Sequence, residues 1–227
     1  MAAPSEDLKF ERVLTPDAAF IADAAQIFVS VMQSDPLAYA LTGANLSLLP
    51  ALITAMLSGH LLVPGEGEAY AARDANGALV GFQVFSLPGK LLFATEASRA
   101  WGFDEYVAKL SPEGKQFFLG MMPKLPPDTN EDHELERAAY WGNFAFIRAD
   151  YQSRGVGKVL FNLSLERARE LQAKKMGLIT VNPANHSFHK SLGFRLVKHQ
   201  ICKSPWNEFD IWTFDRDVGA PWILAKI

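Results

Sequence analysis

The chain has 227 residues, 49% of them apolar and 21% charged, with 16 Phe and 5 Trp; this is one ordinary domain, or one with a sizeable insertion, and it excludes a mostly disordered chain. A formal charge of −3 argues against nucleic acid as the main partner, because chains that bind phosphate backbones carry a basic total. The lone cysteine, Cys202, excludes an internal disulfide and a Cys-rich zinc site, and the 5 histidines show no His-Glu-x-x-His spacing, so no metal is expected.

Met1 to Lys9 carries acids and no apolar run, so no signal peptide is expected. Leu46–Val63 is the most apolar stretch, but Pro50, Ser58, Gly59 and His60 interrupt it. It falls short of a membrane span and reads as a buried helix. The expectation is a cytoplasmic chain with no membrane partner.

Leu8–Leu14 alternates apolar and charged residues, as a strand does, and Thr15-Pro16-Asp17 then opens a helix with Thr15 as N-cap. Phe20, Ala24, Ile27, Phe28 and Val31 share one face of that helix, and Ser34-Asp35-Pro36 stops it. A second helix falls within Leu46–Leu62. Ala69–Arg73 and Leu79–Phe85 flank Asp74-Ala75-Asn76-Gly77, where Asn-Gly supplies the positive φ angles of a hairpin turn.

Residues 88–132 read as an insertion, with helical pieces at Arg99–Leu110 and Pro112–Met121 and a loop at Lys124–Asn130. Its aromatics, Trp101, Phe103, Tyr106, Phe117 and Phe118, read first as a local hydrophobic cluster and second as the wall of an acceptor pocket.

Ala139–Ala149 is apolar on both faces, which places it mid-sheet with cover on both sides. A turn, Gln152-Ser153-Arg154-Gly155-Val156-Gly157, leads into a helix running to about Lys175. On that helix Glu170 and Lys174 stand at pairing distance along one face. Gly177 ends it, and Leu178–Val181 is a short strand. Asn182-Pro183 opens a brief helix to Leu192-Gly193, and Phe194–Lys203 and Glu208–Asp215 are two more strands. The apolar tail, 216–227, packs either on its own domain or on a second copy in a homodimer. The order predicts an α/β fold of mixed α+β character, with a central mixed sheet, helices on both faces, and one domain over 1–227.

The chemistry gathers at Ile147–Gly157. First-turn amides of a helix have no partner inside it and point out beside the positive end of its dipole. Gly155 and Gly157 let a phosphate approach the backbone, and Gln152, Arg154 and Lys158 add donors and charge. The third glycine and the acid of a dinucleotide fingerprint are missing, and so is the Gly-Lys-Ser/Thr of a P-loop.

Gln152-x-x-Gly155-x-Gly157, between an apolar strand and a long helix, resembles motif A of the GNAT superfamily of acetyl-CoA-dependent N-acetyltransferases. Asn185-His186-Ser187-Phe188-His189-Lys190-Ser191-Leu192-Gly193-Phe194 resembles its motif B. The resemblance covers roughly Tyr140–Phe214 and implies a GNAT fold with acetyl-CoA as cosubstrate. The pyrophosphate would rest on Gln152, Ser153, Arg154, Gly155, Val156, Gly157 and Lys158. The pantetheine arm would pair with Ile147, Arg148 and Ala149, and Asn185 would contact it. Amides near Phe146 and Ile147 would polarise the thioester carbonyl.

Two positions depart from the family. Many members carry a basic Glu or Asp on the central strand, but Tyr140-Trp141-Gly142-Asn143-Phe144 has none; Asn143 would orient a water or the amine. Asp132, Glu134 and Glu136 read as solvated surface acids before they read as remote bases. His189 stands where the family has the tyrosine that protonates the leaving thiolate. The expectation is acetyl transfer to the primary amine of a small molecule. A protein or peptide amine acceptor, and a non-catalytic acyl-CoA-binding module, are the alternatives. Cys202, on a predicted strand, reads as a packing thiol.

Overall fold

The computed structural model describes residues 8–121 and 134–219. The alternating stretch after Leu8 forms β1 (Lys9–Val13), followed by α1 (Ala18–Met32). Asp17, not Thr15, caps α1: its carboxylate accepts the Phe20 amide at 2.8 Å. The two-bond reach from an N-cap to the third helical amide fixes the cap by geometry, and it falls two residues later than the Thr-Pro pair suggests. The stop signal at 34–36 ends α1 and also begins α2 (Pro36–Leu41), with Asp35 as N-cap. The apolar run supplies a 3-10 turn at Leu46–Leu48 and the buried helix α3 (Leu49–Leu61).

The hairpin forms as expected from β2 (Gly67–Arg73) and β3 (Leu79–Ser86), but its turn is organised differently. Only Gly77 has a positive φ, +81°. The Asp74 carboxylate holds the turn by accepting the amides of Asn76 and Ala78 at 2.9 and 3.0 Å. Beyond β3, the insertion contains α4 (Glu96–Arg99), α5 (Phe103–Lys109) and α6 (Pro112–Met121). Most of its aromatics pack into the core: Tyr106 and Phe118 are buried, and the Phe103 ring lies tilted with its centre 4.6 Å from that of Phe93. The Tyr106 hydroxyl donates to the Leu41 carbonyl at 2.6 Å, which ties α5 to α2. Trp101 is exposed, and Phe117 packs edge-on against Trp206. The loop at 124–130 and Asp132 lie outside the described residues. So do the side chains of Glu134 and Glu136 on α7 (Glu134–Ala138).

The second half contains β4 (Ala139–Ile147), α8 (Val156–Glu170), β5 (Lys175–Thr180), α9 (His186–Ser191), β6 (Arg195–Lys203) and β7 (Glu208–Asp217). α8 stops at Glu170, short of Lys175. Gln172 takes a left-handed φ of +54°, and the Ala173 amide turns back to the Ala168 carbonyl at 2.9 Å. Glu170 consequently pairs with Arg167 at 3.0 Å and not with Lys174. Lys175 already belongs to β5, and Gly177 lies inside that strand, where the Trp141 ring fills the space of a missing side chain. Arg216 and Asp217, read as tail, are the last residues of β7; residues 220–227 lie outside the described residues.

The strands form one sheet in the order β1-β2-β3-β4-β5-β7-β6. Only β4 and β5 run parallel, and they pair only from Ala139–Gly142 against Lys175–Leu178. α1, α3 and the insertion cover one face through Phe28, Leu57, Phe82 and Phe144. α8 covers the other through Val156, Leu160, Phe161 and Tyr140. On that side Arg167 grips Glu68 of β2 at 2.8 Å, and Glu68 accepts the Tyr140 hydroxyl at 3.1 Å.

Candidate active site

Beyond Gly142 the two parallel strands part, and the ladder between β3 and β4 shows why. Val84 faces Phe144 while Phe85 faces Gly142, so Asn143 is the extra residue of a bulge. A bulge bends its strand, and here it leaves one edge of residues 143–147 without a strand partner. The Arg148 amide donates to the Val80 carbonyl of β3 at 2.9 Å. Strand alternation therefore assigns the Phe146 amide to the same ladder and turns Ala145 and Ile147 toward the gap. Of the two amides expected to polarise a thioester, only that of Ile147 faces the opening. Phe146 packs instead, with its ring 4.8 Å from Phe28 and 5.9 Å from Phe82.

Gln152 Nε2 donates to the Ile147 carbonyl at 3.0 Å and ties the end of β4 to the turn that opens α8. Ser153 and Gly155 in that turn have φ of +60° and +82°. The backbone amides of 153–157 find no acceptor among the described residues and stand at the positive end of α8. A Cβ on Gly155 would meet nothing within 4 Å, so the space above the turn is open. One on Gly157 would meet the Phe188 ring at 3.2 Å, so that glycine also serves the packing of α9 on α8. The Arg148 and Arg154 guanidiniums lie 4.6 and 5.1 Å from the Tyr151 ring, with Arg148 held to Asp150 at 2.7 Å. Lys158 is exposed on the first turn of α8. Ala149 begins the 3-10 turn that follows β4. An anion thus finds free amides, open space and two flanking guanidiniums in one place.

Two residues that the sequence reading overlooked support Asn143. His60 of α3 and Ser86 of β3 are buried, and Ser86 Oγ lies 3.0 Å from His60 Nε2. Asn143 Nδ2 donates to Ser86 Oγ at 2.8 Å, so the Asn143 amide group is turned inward and Oδ1 is its atom without a partner among the described residues. Burial pushes His60 down to about 4, partly offset by the Phe85 carbonyl, so the ring is neutral at pH 7. The only signal in the sequence was a histidine inside an otherwise apolar helix. Ser86→Ala is expected to leave His60 Nε2 and Asn143 Nδ2 only their long 3.5 Å contact with each other, and Nδ2 another of 3.5 Å to the Trp141 carbonyl, costing about 1–3 kcal/mol in denaturant unfolding.

His189 is also buried, and burial, with a smaller contribution from His186, holds it at about 4. Its ring centre lies 5.4 Å from Phe214 and 6.0 Å from Phe194, and Nδ1 has no partner among the described residues. Asn185 is exposed on the turn before α9 and donates from Nδ2 to Thr180 Oγ1 at 3.3 Å. Both histidines bind a proton less readily folded than unfolded, where about 6.5 applies. The unfolded chain therefore protonates first as pH falls. Stability should be full above about pH 6.5 and decline toward pH 4, by up to about 3 kcal/mol per histidine. Denaturant midpoints across that range check this, and His189→Phe, which keeps the packing, should flatten the decline by about half.

Among the described residues no group of three or more His, Cys, Asp or Glu stands close enough to hold a metal. Cys202 is half-buried, 3.5 Å from the Met121 sulfur, away from the gap.

Residues 125–194 match the family model described as Acetyltransferase (GNAT) family. No curated protein matches the sequence. Several solved structures share the fold. One, from Corynebacterium glutamicum ATCC 13032, is named histone acetyltransferase HPA2 and related acetyltransferase; it is 14% identical, with TM-score 0.62 over 95% of this chain and 98% of its own. A protein named yncA from Salmonella typhimurium, seen with its cofactor acetyl-CoA, is 13% identical, with TM-score 0.58 over 95% and 98%. The ribosomal-protein-S18-alanine N-acetyltransferase of Escherichia coli is 9% identical, with TM-score 0.54 over 97% and 99%. The sheet parted beside an amide-lined helix start is the GNAT acyl-CoA N-acyltransferase fold. The family match takes in both motifs A and B, so in fold and over residues 125–194 the chain is similar to GNAT acetyltransferases.

Proposed function

We propose that the protein moves acetyl from acetyl-CoA directly to the primary amine of a small molecule. The observation that carries this is the gap between β4 and β5 leading straight to the open, amide-lined turn at Ser153–Gly157. A long phosphorylated thiol ester fits that shape: the pyrophosphate on the turn, the arm along the free edge of β4, the thioester at the bulge. Bound there, acetyl-CoA supplies the activated acyl group.

The chain's own residues supply positioning and hydrogen bonds. The Ile147 amide faces the gap as a donor to a developing oxyanion. Asn143 Oδ1 accepts a hydrogen from the attacking amine, with its orientation fixed by Ser86 and His60. β4 carries no carboxylate, so the ammonium gives its proton to water before attack. As the new N–C bond forms and the C–S bond breaks, the nitrogen sheds its surplus proton to water; the negative charge building on the sulfur favours protonation of the His189 ring from water, and the imidazolium then gives that proton to the thiolate. Asn185, beside the end of β5, holds the arm near its sulfur.

The test pairs thermal stabilisation by CoA with free-thiol release from acetyl-CoA over a panel of small amines and lysine peptides. Release with small amines supports the proposal. Release with peptides alone makes the acceptor a protein, and stabilisation without release makes the chain an acyl-CoA-binding module.

A further inference from the structure

Beside the mouth of the gap, where α1 gives way to α2, two clefts of about 250 and 370 Å³ share one carboxylate in their lining. Asp35 lines both. The larger cleft is floored by Val181, Asn182 and Pro183, which directly follow β5, so it is continuous with the strand that walls the gap. α1 links the two regions: Phe28 packs 6.0 Å from Phe144 of β4, and Val31, nearly one turn later, lines the larger cleft.

The Asp35 carboxylate lacks what a half-buried carboxylate usually has. Its donors are the backbone amides of Leu37 and Ala38, and no cationic side chain bears on it among the described residues. Burial accordingly raises its pKa. Tyr39, one helical turn on, presents a partly exposed ring to the smaller cleft. Among the described residues no basic side chain lines either cleft, while Val31, Pro36 and Leu46 provide apolar surface. A carboxylate and an aromatic face, with aliphatic walls and no competing cation, form the receptor for an ammonium group on a methylene chain.

We infer that Asp35, with Tyr39, binds a second ammonium group on the acceptor, so that the preferred acceptor is an aliphatic diamine or polyamine, held by one amine while the other is presented at the gap. This rests on the proposed acetyl transfer, and it names the acceptor class that the transfer reading leaves open. It also accounts for a charge placed where α2 needs only a neutral cap, since Asn caps a helix as well as Asp does.

That equivalence supplies the test. Asp35→Asn keeps the cap and the shape and removes only the charge. Calorimetry with CoA present, in place of acetyl-CoA, compares 1,4-diaminobutane with n-butylamine on the wild type and the variant. KM values for the same two amines come from thiol release. The diamine should bind about tenfold tighter than the monoamine, and the variant should erase that difference while CoA affinity stays put. Tyr39→Leu should remove a smaller part of it. Equal affinity for the two amines, no binding of either, or a preference that survives in Asp35→Asn overturns the inference. A diamine preference in calorimetry with no thiol release from any amine leaves the cation site standing and removes the acetyl-transfer reading instead.

Discussion

Replacing His189 by alanine is expected to lower kcat by about 10²–10⁴ with little change in the KM for acetyl-CoA. The leaving group of the proposed reaction is a thiolate, and the ring of His189 belongs to the α9 segment that resembles motif B of the GNAT superfamily, at the position of that motif's tyrosine. Burial keeps the imidazole neutral down to about pH 4, so at pH 7 it offers a ring N–H, not a standing charge. The thiolate is the anionic partner it lacks in the free chain. His189→Tyr should keep much of the activity, because a phenol holds its proton to about pH 10 and can give it to the thiolate directly. His189→Phe preserves the packing against Phe194 and Phe214 and should be as slow as His189→Ala. If the phenylalanine variant turns over like the wild type, His189 is a packing residue and the sulfur takes its proton from water.

Gly155→Val should weaken CoA binding by about tenfold to a hundredfold. At φ +82° a β-branched residue is strained by about 1–3 kcal/mol, and the chain relieves that strain only by moving the amides it would present to the pyrophosphate. A Cβ there meets nothing of the chain itself, so the variant should fold without a clash. Gly155→Asn, which tolerates the left-handed region, should lose far less. Calorimetry with CoA on folded variants decides it. An unchanged affinity in Gly155→Val would place the phosphates elsewhere.

The second half of the chain was readable because its signals are local. An apolar strand, two glycines at a helix start and a capped short helix each announce themselves within a few residues, and β4, α8 and α9 fall where those patterns put them. The misreadings had both tertiary and local causes. Gly177 looked like a helix stop, but it is small because Trp141 lies over it. α8 ended early because Gln172 adopts the left-handed conformation that is usually left to Gly or Asn.

The open turn at the start of α8 was legible in the sequence, and the surroundings of Asn143 were not. The amides at 153–157 follow from the glycine spacing. The support for Asn143 comes from His60 and Ser86, 83 and 57 residues away in sequence, and no periodicity joins such positions. The bulge that frees β4 is a mismatch between two strands and leaves no mark on either one alone. Similarly, the insertion aromatics read as core or pocket until Tyr106 and Phe118 were seen packed together at 5.2 Å.

The central claim is direct acetyl transfer at the gap between β4 and β5. It is tested most directly by mixing the protein with acetyl-CoA labelled in its acetyl group and 1,4-diaminobutane, then following label and free thiol together by mass spectrometry. The account predicts labelled N-acetylated amine appearing in equal amount with CoA, with no labelled protein at any time. Thiol release without acetylated amine, label accumulating on the protein, or bound acetyl-CoA that remains intact with every amine offered would contradict it.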